Sequence, residues 1–324
     1  MTASQQSAQT PLRRLTEAQV EQYQRCGYIK NLSVIDASKI STLQATFEEL
    51  AARLPDSTDI NQVNLWHKYS RTFYDLSRHP AILDYVEDLI GPDFFQWAGQ
   101  FFVKYPGDGS EVPWHQDAQY WPLSPQQTVS VWLAVYDTDT NNAAMQVVSG
   151  SHRRGQFAHH TNNSPHLVLN READISNCQP EDIVTIDLKA GEISLHDSGL
   201  LHGSGPNQSQ RMRCGMTMRF APICVQADLS EWPTFEAYMA RGVDRLHLKS
   251  ARACPYGRRL SSTKISTLIG VWLKLTWPLP ATRQVTSPRW AVQLIVMALE
   301  ISRPWNWSMV RDTCRPVVTL KSHE

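Results

Sequence analysis

The sequence lacks several features that would each place it in a well-defined class of protein. Its six cysteines form no Cys-x-x-Cys pair and have no zinc-finger spacing, so we expect reduced, mostly buried thiols. It has no run of about 18 apolar residues and no apolar signal segment at the start, which predicts a cytoplasmic protein without a transmembrane helix. A formal net charge of zero gives no electrostatic argument for a nucleic-acid partner. No glycine-rich phosphate loop or dinucleotide-binding fingerprint is present.

The balanced net charge conceals an uneven distribution along the chain. Residues 1–246 carry nine more acidic than basic residues, whereas residues 247–324 carry nine more basic than acidic ones and five of the eleven tryptophans. This change predicts a domain boundary near residue 246. We interpret the tail as an extension that packs on the body, or as sequence from outside the native frame; a basic, aromatic surface for a partner is the alternative. Within it, Trp290–Ile301 has the pattern of a short helix.

Helical patterns occupy the first ninety residues. Thr16–Gly27 begins with a capping box, in which Gln19 follows Thr16 at the required spacing, and ends at a glycine. Ser38–Leu54 carries an apolar stripe with the helical period, and Ala81–Ile90 is amphipathic and stops before a Gly-Pro pair. These segments predict three helices.

Strand-like segments separated by turn residues follow the helices. The predicted strands are Phe94–Tyr105, Thr128–Tyr136, Met145–Val148, Ile183–Leu188, Glu192–Leu195 and Arg213–Phe220, with a short extended run at Tyr28–Val34. Several short strands after a helical lead favour an antiparallel sandwich or barrel that is backed by helices.

A histidine and an aspartate two residues apart are the first candidate for chemistry. His115 and Asp117 lie in the segment WHQDAQYW, and residues i and i+2 of a strand point to the same face. His202 follows 87 residues after His115, in a turn rich in glycine and serine. Two histidines and one carboxylate can occupy one face of an octahedral Fe(II) ion and leave three positions open. A surface histidine beside a capping aspartate is the alternative.

An arginine eleven residues after His202 suggests which molecule occupies two of the open coordination positions of the iron. Arg213 begins a predicted strand, where a fixed guanidinium can hold a carboxylate through two hydrogen bonds. 2-Oxoglutarate needs this arrangement, since its keto acid end chelates iron and its distal carboxylate needs a cation. Arg211 and Arg219 remain competitors, and strand alternation does not separate Arg219 from Arg213.

Taken together, these segments resemble a known family. Over roughly residues 15–245 the chain is similar to the phytanoyl-CoA dioxygenase family in the order and spacing of FVKYPGDGSEVPWHQDAQYW, VSVWLAVYDTD, VVSGSHRRG and LKAGEISLHDSGLLHGSGPN, followed by the step to Arg213. The resemblance implies a mainly β fold with helical flanks (α+β). Its centre is a double-stranded β-helix (jelly roll, cupin-like) with a core at about 94–222 and N-terminal helices packed on one sheet. It further implies residues 1–246 as the oxygenase domain and 247–324 as an extension.

The resemblance also implies the cofactor and the residues that bind it. His115, Asp117 and His202 would bind Fe(II), and Arg213 would bind the distal carboxylate of 2-oxoglutarate, with O2 as the second cosubstrate. Ser204 and Trp132 would line the cosubstrate pocket. More weakly, Gln100–Lys104 and Asn64–Lys68 are implied as its walls.

Other residues near the motifs have open roles. Tyr120 and Trp121 follow the metal motif and are candidates for contacting the substrate, with packing under a loop as the alternative. His196 and Asp197 are interpreted as strand-end residues that support the metal ligands, and His159-His160 as loop surface.

The predicted activity is hydroxylation or desaturation of an unactivated carbon in a small molecule, with release of succinate and CO2, in a specialised biosynthetic pathway. Family members that halogenate have a small residue where Asp117 stands, so oxidation is favoured over halogenation. A zinc-dependent hydrolase and a non-catalytic binding or scaffold protein on the same fold are the alternatives. The substrate is not determined by the sequence, and a monomer or a homodimer is expected.

Overall fold

The protein is described by a computed structural model that covers residues 11–55, 57–164 and 166–246, together with the backbone at 251–252. Within these ranges the chain forms five α-helices: α1 (Glu17–Cys26), α2 (Ala37–Arg53), α3 (Trp66–Tyr69), α4 (Arg71–Ser77) and α5 (Pro80–Ile90). The predicted helix at Trp290–Ile301 and nearly all of the predicted extension 247–324 lie outside the described residues. None of the helices described is long and apolar enough to cross a membrane.

Within the described residues, β-strands form most of the regular structure outside the α-helices. Fifteen strands follow in chain order: β1 (Tyr28–Ser33), β2 (Phe94–Lys104), β3 (Val112–His115), β4 (Leu123–Ser124), β5 (Val129–Ala134), β6 (Gln146–Val148), β7 (His159–Thr161), β8 (Arg171–Ala173), β9 (Ile183–Thr185), β10 (Glu192–Asp197), β11 (His202–Ser204), β12 (Arg213–Pro222), β13 (Gln226–Ala227), β14 (Ala237–Arg241) and β15 (Ala251–Arg252).

Two sheets form the body of the fold. The major sheet has the order β1-β10-β5-β12-β2-β14-β15 and the minor sheet the order β3-β11-β6-β9. Among the strands that the structure describes, only β14 and β15 pair in parallel. The two sheets face each other across a layer of buried apolar side chains, which includes Trp132 from the major sheet and Val147 from the minor sheet. The predicted mainly β jelly-roll fold with helical flanks is therefore confirmed, and β2 to β12 lie within the predicted core at 94–222.

The helices cover the outer face of the major sheet. Side chains alternate along β12, so that Met216 and Met218 pack against Phe47 of α2 and Ile82 of α5 in one continuous apolar core. The opposite face of β12 points toward the minor sheet, and it carries the polar side chains of the site described below. The expectation that the N-terminal helices pack on one sheet is confirmed.

Side chains cover the edge of β2 that β14 leaves unpaired. The Asn61 side chain makes the two hydrogen bonds that a neighbouring strand would make: its Oδ1 accepts from Val103 N at 2.6 Å, and its Nδ2 donates to Val103 O at 3.1 Å. Asn64 Oδ1 accepts from Gly99 N at 3.1 Å. The segment Asn64–Lys68, predicted as a pocket wall, thus begins against this edge and continues into α3.

The thiols are less buried than predicted. Of the four cysteines that the structure describes, all are free, but only Cys214 is buried and Cys224 is exposed. The reason lies in their positions: Cys214 is on the helix-facing side of a central strand, whereas Cys224 follows the end of that strand. The predicted reduced state of the described cysteines agrees with the structure, and their predicted burial is wrong for three of the four.

Candidate metal centre

Three side chains that can bind a metal meet between the two sheets. Atoms of His115, Asp117 and His202 that can act as ligands all lie within 4.8 Å of one another, and all three residues are buried. His115 ends β3 and His202 begins β11, and the two residues are direct partners in the antiparallel ladder. Their rings therefore lie side by side, with centroids 4.1 Å apart.

The local structure differs from the prediction at two of these residues. The strand ends at His115, and Asp117 opens a short 3-10 turn rather than continuing the strand. Gln116 nevertheless keeps an extended backbone (φ −108°, ψ 126°), so alternation still carries both side chains to the same side. His202 was expected in a turn but is paired on both sides within β11, which fixes its position more firmly.

Gln116 fixes the loop that carries the carboxylate. Its side chain donates to the carbonyl oxygens of Gly199 at 2.7 Å and Gly155 at 3.0 Å, and it accepts from Phe157 N at 2.8 Å. A buried side chain with three partners holds its neighbours on both sides in place.

Backbone carbonyls set the orientation of both histidine rings. His115 Nδ1 lies 2.8 Å from Pro113 O, and His202 Nδ1 lies 2.9 Å from Leu200 O. Each Nδ1 therefore carries the proton and donates, which leaves the lone pair on Nε2 for a metal. Burial lowers the pKa of both histidines, so both rings are neutral, the state in which imidazole binds a metal.

The carboxylate of Asp117 is held in its ionised form. Ser130 Oγ donates to Oδ2 at 3.2 Å, Arg219 Nη2 lies 3.6 Å from Oδ1, and His196 Nε2 lies 3.9 Å from Oδ2. Burial alone raises the pKa of Asp117, but Arg219 and His196 outweigh it and hold that pKa well below its usual range. Two neutral imidazoles and one carboxylate fit Fe(II), which takes such a set on one face of its coordination sphere.

Arg213, Ser204 and Trp132 also come together, at the other end of the site. Arg213 Nη2 donates to Ser204 Oγ at 3.0 Å, and its guanidinium carbon lies 5.8 Å from the centre of the Trp132 ring. Arg213 is only 3% exposed, and its Nε has no hydrogen-bond partner among the described residues. Burial lowers the pKa of Arg213 to about 10, so it stays charged at neutral pH. A buried cation with an unmet donor indicates a place for an anion.

The structure distinguishes the three arginines that were candidates for binding the distal carboxylate of 2-oxoglutarate. Arg211 is exposed and donates twice to the carboxylate of Asp139, at 2.7 and 2.8 Å. Arg219 and Arg213 both face the interior, but Arg219 lies against Asp117 whereas Arg213 lies against Ser204. Only Arg213 has the neighbours predicted for the cosubstrate arginine.

Lys104 also lies in this pocket, although the sequence predicted it only as the end of the pocket wall Gln100–Lys104. It stands directly opposite Arg213 in the ladder between β2 and β12, so both side chains share the inner face. Its Nζ donates to the carbonyl oxygens of Ser110 at 2.9 Å and Ser204 at 3.1 Å, and to that of Gly205. Burial and the neighbouring Arg213 lower the pKa of Lys104 to about 7. The strand register that pairs the two cations is not readable from one sequence.

Trp132 is fitted against a glycine of the neighbouring strand. An added Cβ at Gly215 would lie 2.0 to 2.4 Å from three atoms of the Trp132 ring, closer than atoms can approach. The glycine therefore allows the indole to lie flat on β12, next to Arg213.

Replacing Gly215 by alanine is expected to lower the free energy of unfolding by about 1–3 kcal/mol, the usual cost of overpacking a filled core. The indole is rigid and fully enclosed, so it must move as a whole. Urea denaturation followed by circular dichroism measures the change. Gly109→Ala is the control, because an added Cβ there meets no atom within 4 Å. Equal stability of the two variants would contradict the close fit.

The two candidate substrate residues follow Asp117 in the chain and are half-buried. The Tyr120 ring is 5.9 Å from the His115 ring, and its hydroxyl donates to Arg171 O at 3.2 Å. Trp121 packs edge-on against Trp97 with ring centres 4.5 Å apart. Tyr120 thus borders a metal ligand directly, whereas Trp121 lies against Arg219, the neighbour of Asp117.

The other polar residues considered in the sequence, His196, Asp197 and His159-His160, differ in their distance from the metal ligands. His196 faces the centre from β10, with its ring 4.9 Å from that of His202, whereas Asp197 points to the adjacent loop and accepts from Gly199 N at 2.7 Å. His159-His160 was predicted as loop surface but forms β7, which pairs with β8. His159 is half-buried there and lies 3.4 Å from Gln116 N, because the two short strands fold over the metal loop.

Comparison with known protein families finds similarity to dioxygenases. A family model described as phytanoyl-CoA dioxygenase (PhyH) matches residues 23–215. The peroxisomal phytanoyl-CoA dioxygenase of Bos taurus is 29% identical over 152 residues, which cover 44% of each protein. An ectoine dioxygenase of Streptomyces avermitilis is 25% identical over 221 residues, 60% of this chain and 74% of that protein. The match thus spans less than half of the length of the bovine relative.

Solved structures agree on the fold. A non-heme monooxygenase, ThoJ in its apo form, superposes with a TM-score of 0.61 at 23% identity, over 87% of this chain and 98% of its own. EctD from S. alaskensis, solved with 2-oxoglutarate and 5-hydroxyectoine, gives a TM-score of 0.57 at 19% identity, over 69% of this chain and 82% of its own.

Proposed function

Since the chain belongs to the phytanoyl-CoA dioxygenase family, we propose that it is an Fe(II)- and 2-oxoglutarate-dependent dioxygenase that oxidises an unactivated carbon of a small organic substrate. The observation that carries this proposal is the convergence of His115, Asp117 and His202, whose ligand atoms lie within 4.8 Å of one another. When bound there, Fe(II) with 2-oxoglutarate supplies the activation of O2 and the oxidation of a carbon–hydrogen bond, with succinate and CO2 as coproducts.

The residues of the chain bind the metal and exclude water. The ladder between β3 and β11 presents the two imidazoles, and Ser130 and Arg219 orient the carboxylate of Asp117. Because all three ligands are buried, each electrostatic interaction among them acts in a medium of low dielectric. No other acid or base is needed for this role.

The second cluster is proposed to hold the distal carboxylate of 2-oxoglutarate. Arg213 offers a planar set of donors, Ser204 supplies a hydroxyl, and the Trp132 ring closes one side. Lys104 stands beside Arg213 and adds a second positive charge when it is protonated. Two cations this close in a buried place repel each other, so binding of an anion between them is favourable.

The alternatives have weaker support in the structure. A zinc hydrolase with the same ligands leaves the buried pair of Lys104 and Arg213 without a purpose. A scaffold protein does not need three buried ligand atoms in register. Because Asp117 is present, we propose hydroxylation or desaturation rather than halogenation, in a specialised biosynthetic pathway. We further propose that residues 1–246 form the oxygenase domain and that 247–324 is an extension.

Anaerobic titration tests the proposal directly. The purified full-length chain is loaded with Fe(II), and 2-oxoglutarate is added while the visible metal-to-ligand charge-transfer band is recorded. A band that saturates with 2-oxoglutarate is expected. The same protein loaded with Zn(II) is the control and should give no band, since zinc has no redox chemistry. A folded, iron-loaded protein without a band would overturn the proposal.

The affinity for 2-oxoglutarate is expected to fall as the pH rises above about 7. In the free protein Lys104 loses its proton near that pH, so above it binding of the dianion must be accompanied by uptake of a proton. Below it the lysine is already charged and the affinity is at its plateau. Titrations of the charge-transfer band across pH 6 to 9 measure this, with Lys104→Met expected to give weaker, pH-independent binding. A wild-type affinity that is flat over this range would contradict a neutral Lys104.

A further inference from the structure

Arg219 is a buried cation that the proposed chemistry does not use for the cosubstrate. It lies on the inner face of β12, six residues and roughly 20 Å along the strand from Arg213. In the ladder it stands opposite Ser130 of β5 and Ala98 of β2. The two arginines therefore mark opposite ends of the site, with the metal ligands close to Arg219.

The guanidinium of Arg219 has few partners. The residue is 7% exposed, and its Nε has no hydrogen-bond partner among the residues that the structure describes. Its nearest acid is Asp117, at 3.6 Å, which is beyond a direct hydrogen bond. Two indoles border it, since its central carbon lies 4.9 Å from the Trp121 ring centre and 6.0 Å from that of Trp97. Aromatic faces attract a guanidinium but leave its N–H donors unsatisfied.

Metal binding would reduce the negative charge that compensates this cation. An oxygen of Asp117 that coordinates a divalent ion shares its negative charge with that ion, so less of the charge faces Arg219. A buried cation whose donors are unmet is costly, and a planar anion is the group that satisfies a guanidinium through two hydrogen bonds. The carboxylate site proposed for 2-oxoglutarate is at Arg213 and Ser204, at the other end of the strand, and so does not satisfy Arg219.

From this arrangement we infer that Arg219 is a specificity-determining residue that binds a carboxylate of the substrate, and that Trp121 and Trp97 border the bound acid. The inference deepens the proposed function and rests on it. Because Arg219 touches a metal ligand, a carboxylate on Arg219 places the neighbouring carbons of the substrate near the metal. The substrate class is therefore an organic acid that is oxidised within a few bonds of its acid group.

Calorimetric titration of matched acids and amides tests this inference. The probes are acetate, phenylacetate and indole-3-acetate, each compared with its neutral amide, which has nearly the same shape. They are added under anaerobic conditions to the full-length protein loaded with Fe(II) and 2-oxoglutarate. For at least one pair the acid is expected to bind tenfold or more tightly than the amide. Arg219→Gln should remove this preference, and Arg219→Lys should keep part of it.

Arg211→Gln is the matched control, since Arg211 lies on the surface beside the same strand. It should bind the probes like the wild type. The inference is overturned if no acid binds more tightly than its amide, or if Arg219→Gln keeps the preference. The charge-transfer band is recorded in the same samples, so its absence from the wild type marks a failure of the proposed function instead. Loss of the band in Arg219→Gln together with a retained preference for the acid would make Arg219 a positioning residue for Asp117.

Discussion

Asp117→Ala is expected to reduce 2-oxoglutarate-dependent succinate formation to background. The substitution removes the only carboxylate of the three described ligands and leaves two neutral imidazoles, which bind a divalent ion far more weakly. Loss of residues that merely support ligands already costs 10–100-fold in many metal sites, so loss of a ligand is expected to cost more. Succinate is measured by chromatography, and bound iron by metal analysis of the same preparation.

A second variant separates loss of the metal from loss of the fold. Asp117→Ala leaves Arg219 without its acidic neighbour, which destabilises a buried charge. Asp117→Asn loses the same charge but keeps the side-chain shape and an oxygen that can accept from Ser130 Oγ or Arg219, so it is expected to fold and still fail to form succinate. Asp187→Ala, at an exposed acid, is the control with unchanged turnover. Succinate formation by folded Asp117→Asn at the wild-type rate would contradict the assignment of the ligand.

Arg213→Ala is expected to weaken binding of 2-oxoglutarate roughly a hundredfold while leaving Fe(II) binding unchanged. Charge-assisted hydrogen bonds of a buried group contribute about 3 kcal/mol, and each 1.4 kcal/mol corresponds to about tenfold in affinity. Arg213 is 3% exposed, so water does not replace the lost donor easily. The dissociation constant comes from titration of the charge-transfer band.

The conservative variant tests the geometry of the guanidinium. Arg213→Lys keeps the charge but loses the planar pair of donors, so an intermediate affinity is expected. Arg211→Ala should bind 2-oxoglutarate normally, because Arg211 pairs with Asp139 on the surface. If Arg213→Ala bound normally and Arg219→Ala did not, the distal carboxylate would belong at Arg219 and the two ends of the site would be exchanged.

Local sequence determined the three longer helices, α1, α2 and α5, and the longer strands. The capping box at Thr16 and the left-handed Gly27 bound α1 as predicted, because both signals act through backbone groups within a few residues. The stripe on α2 predicted its buried face, where Leu43, Phe47 and Leu50 lie. The short helices α3 and α4 were not predicted; α3 is a single turn that packs against β2, and α4 packs against α3.

Part of the site was also a local property. Alternation of an extended backbone explains why His115 and Asp117 face the same way, although the strand ends between them. The same rule placed Arg213 and Arg219 on one face of β12. It did not predict which residues of the neighbouring strands stand beside each arginine, because alternation carries no information about strand pairing.

The amino-acid sequence by itself determined the longer helices and strands, the alternation of their faces and, through resemblance, the jelly-roll fold. Only the tertiary structure decided that His202 pairs with His115, that Lys104 stands beside Arg213, and that Arg219 faces Asp117. Each of these contacts depends on the register between strands far apart in the chain. Register is set by the packing of whole faces in the core, and a shift of one residue would turn every one of these side chains to the opposite side.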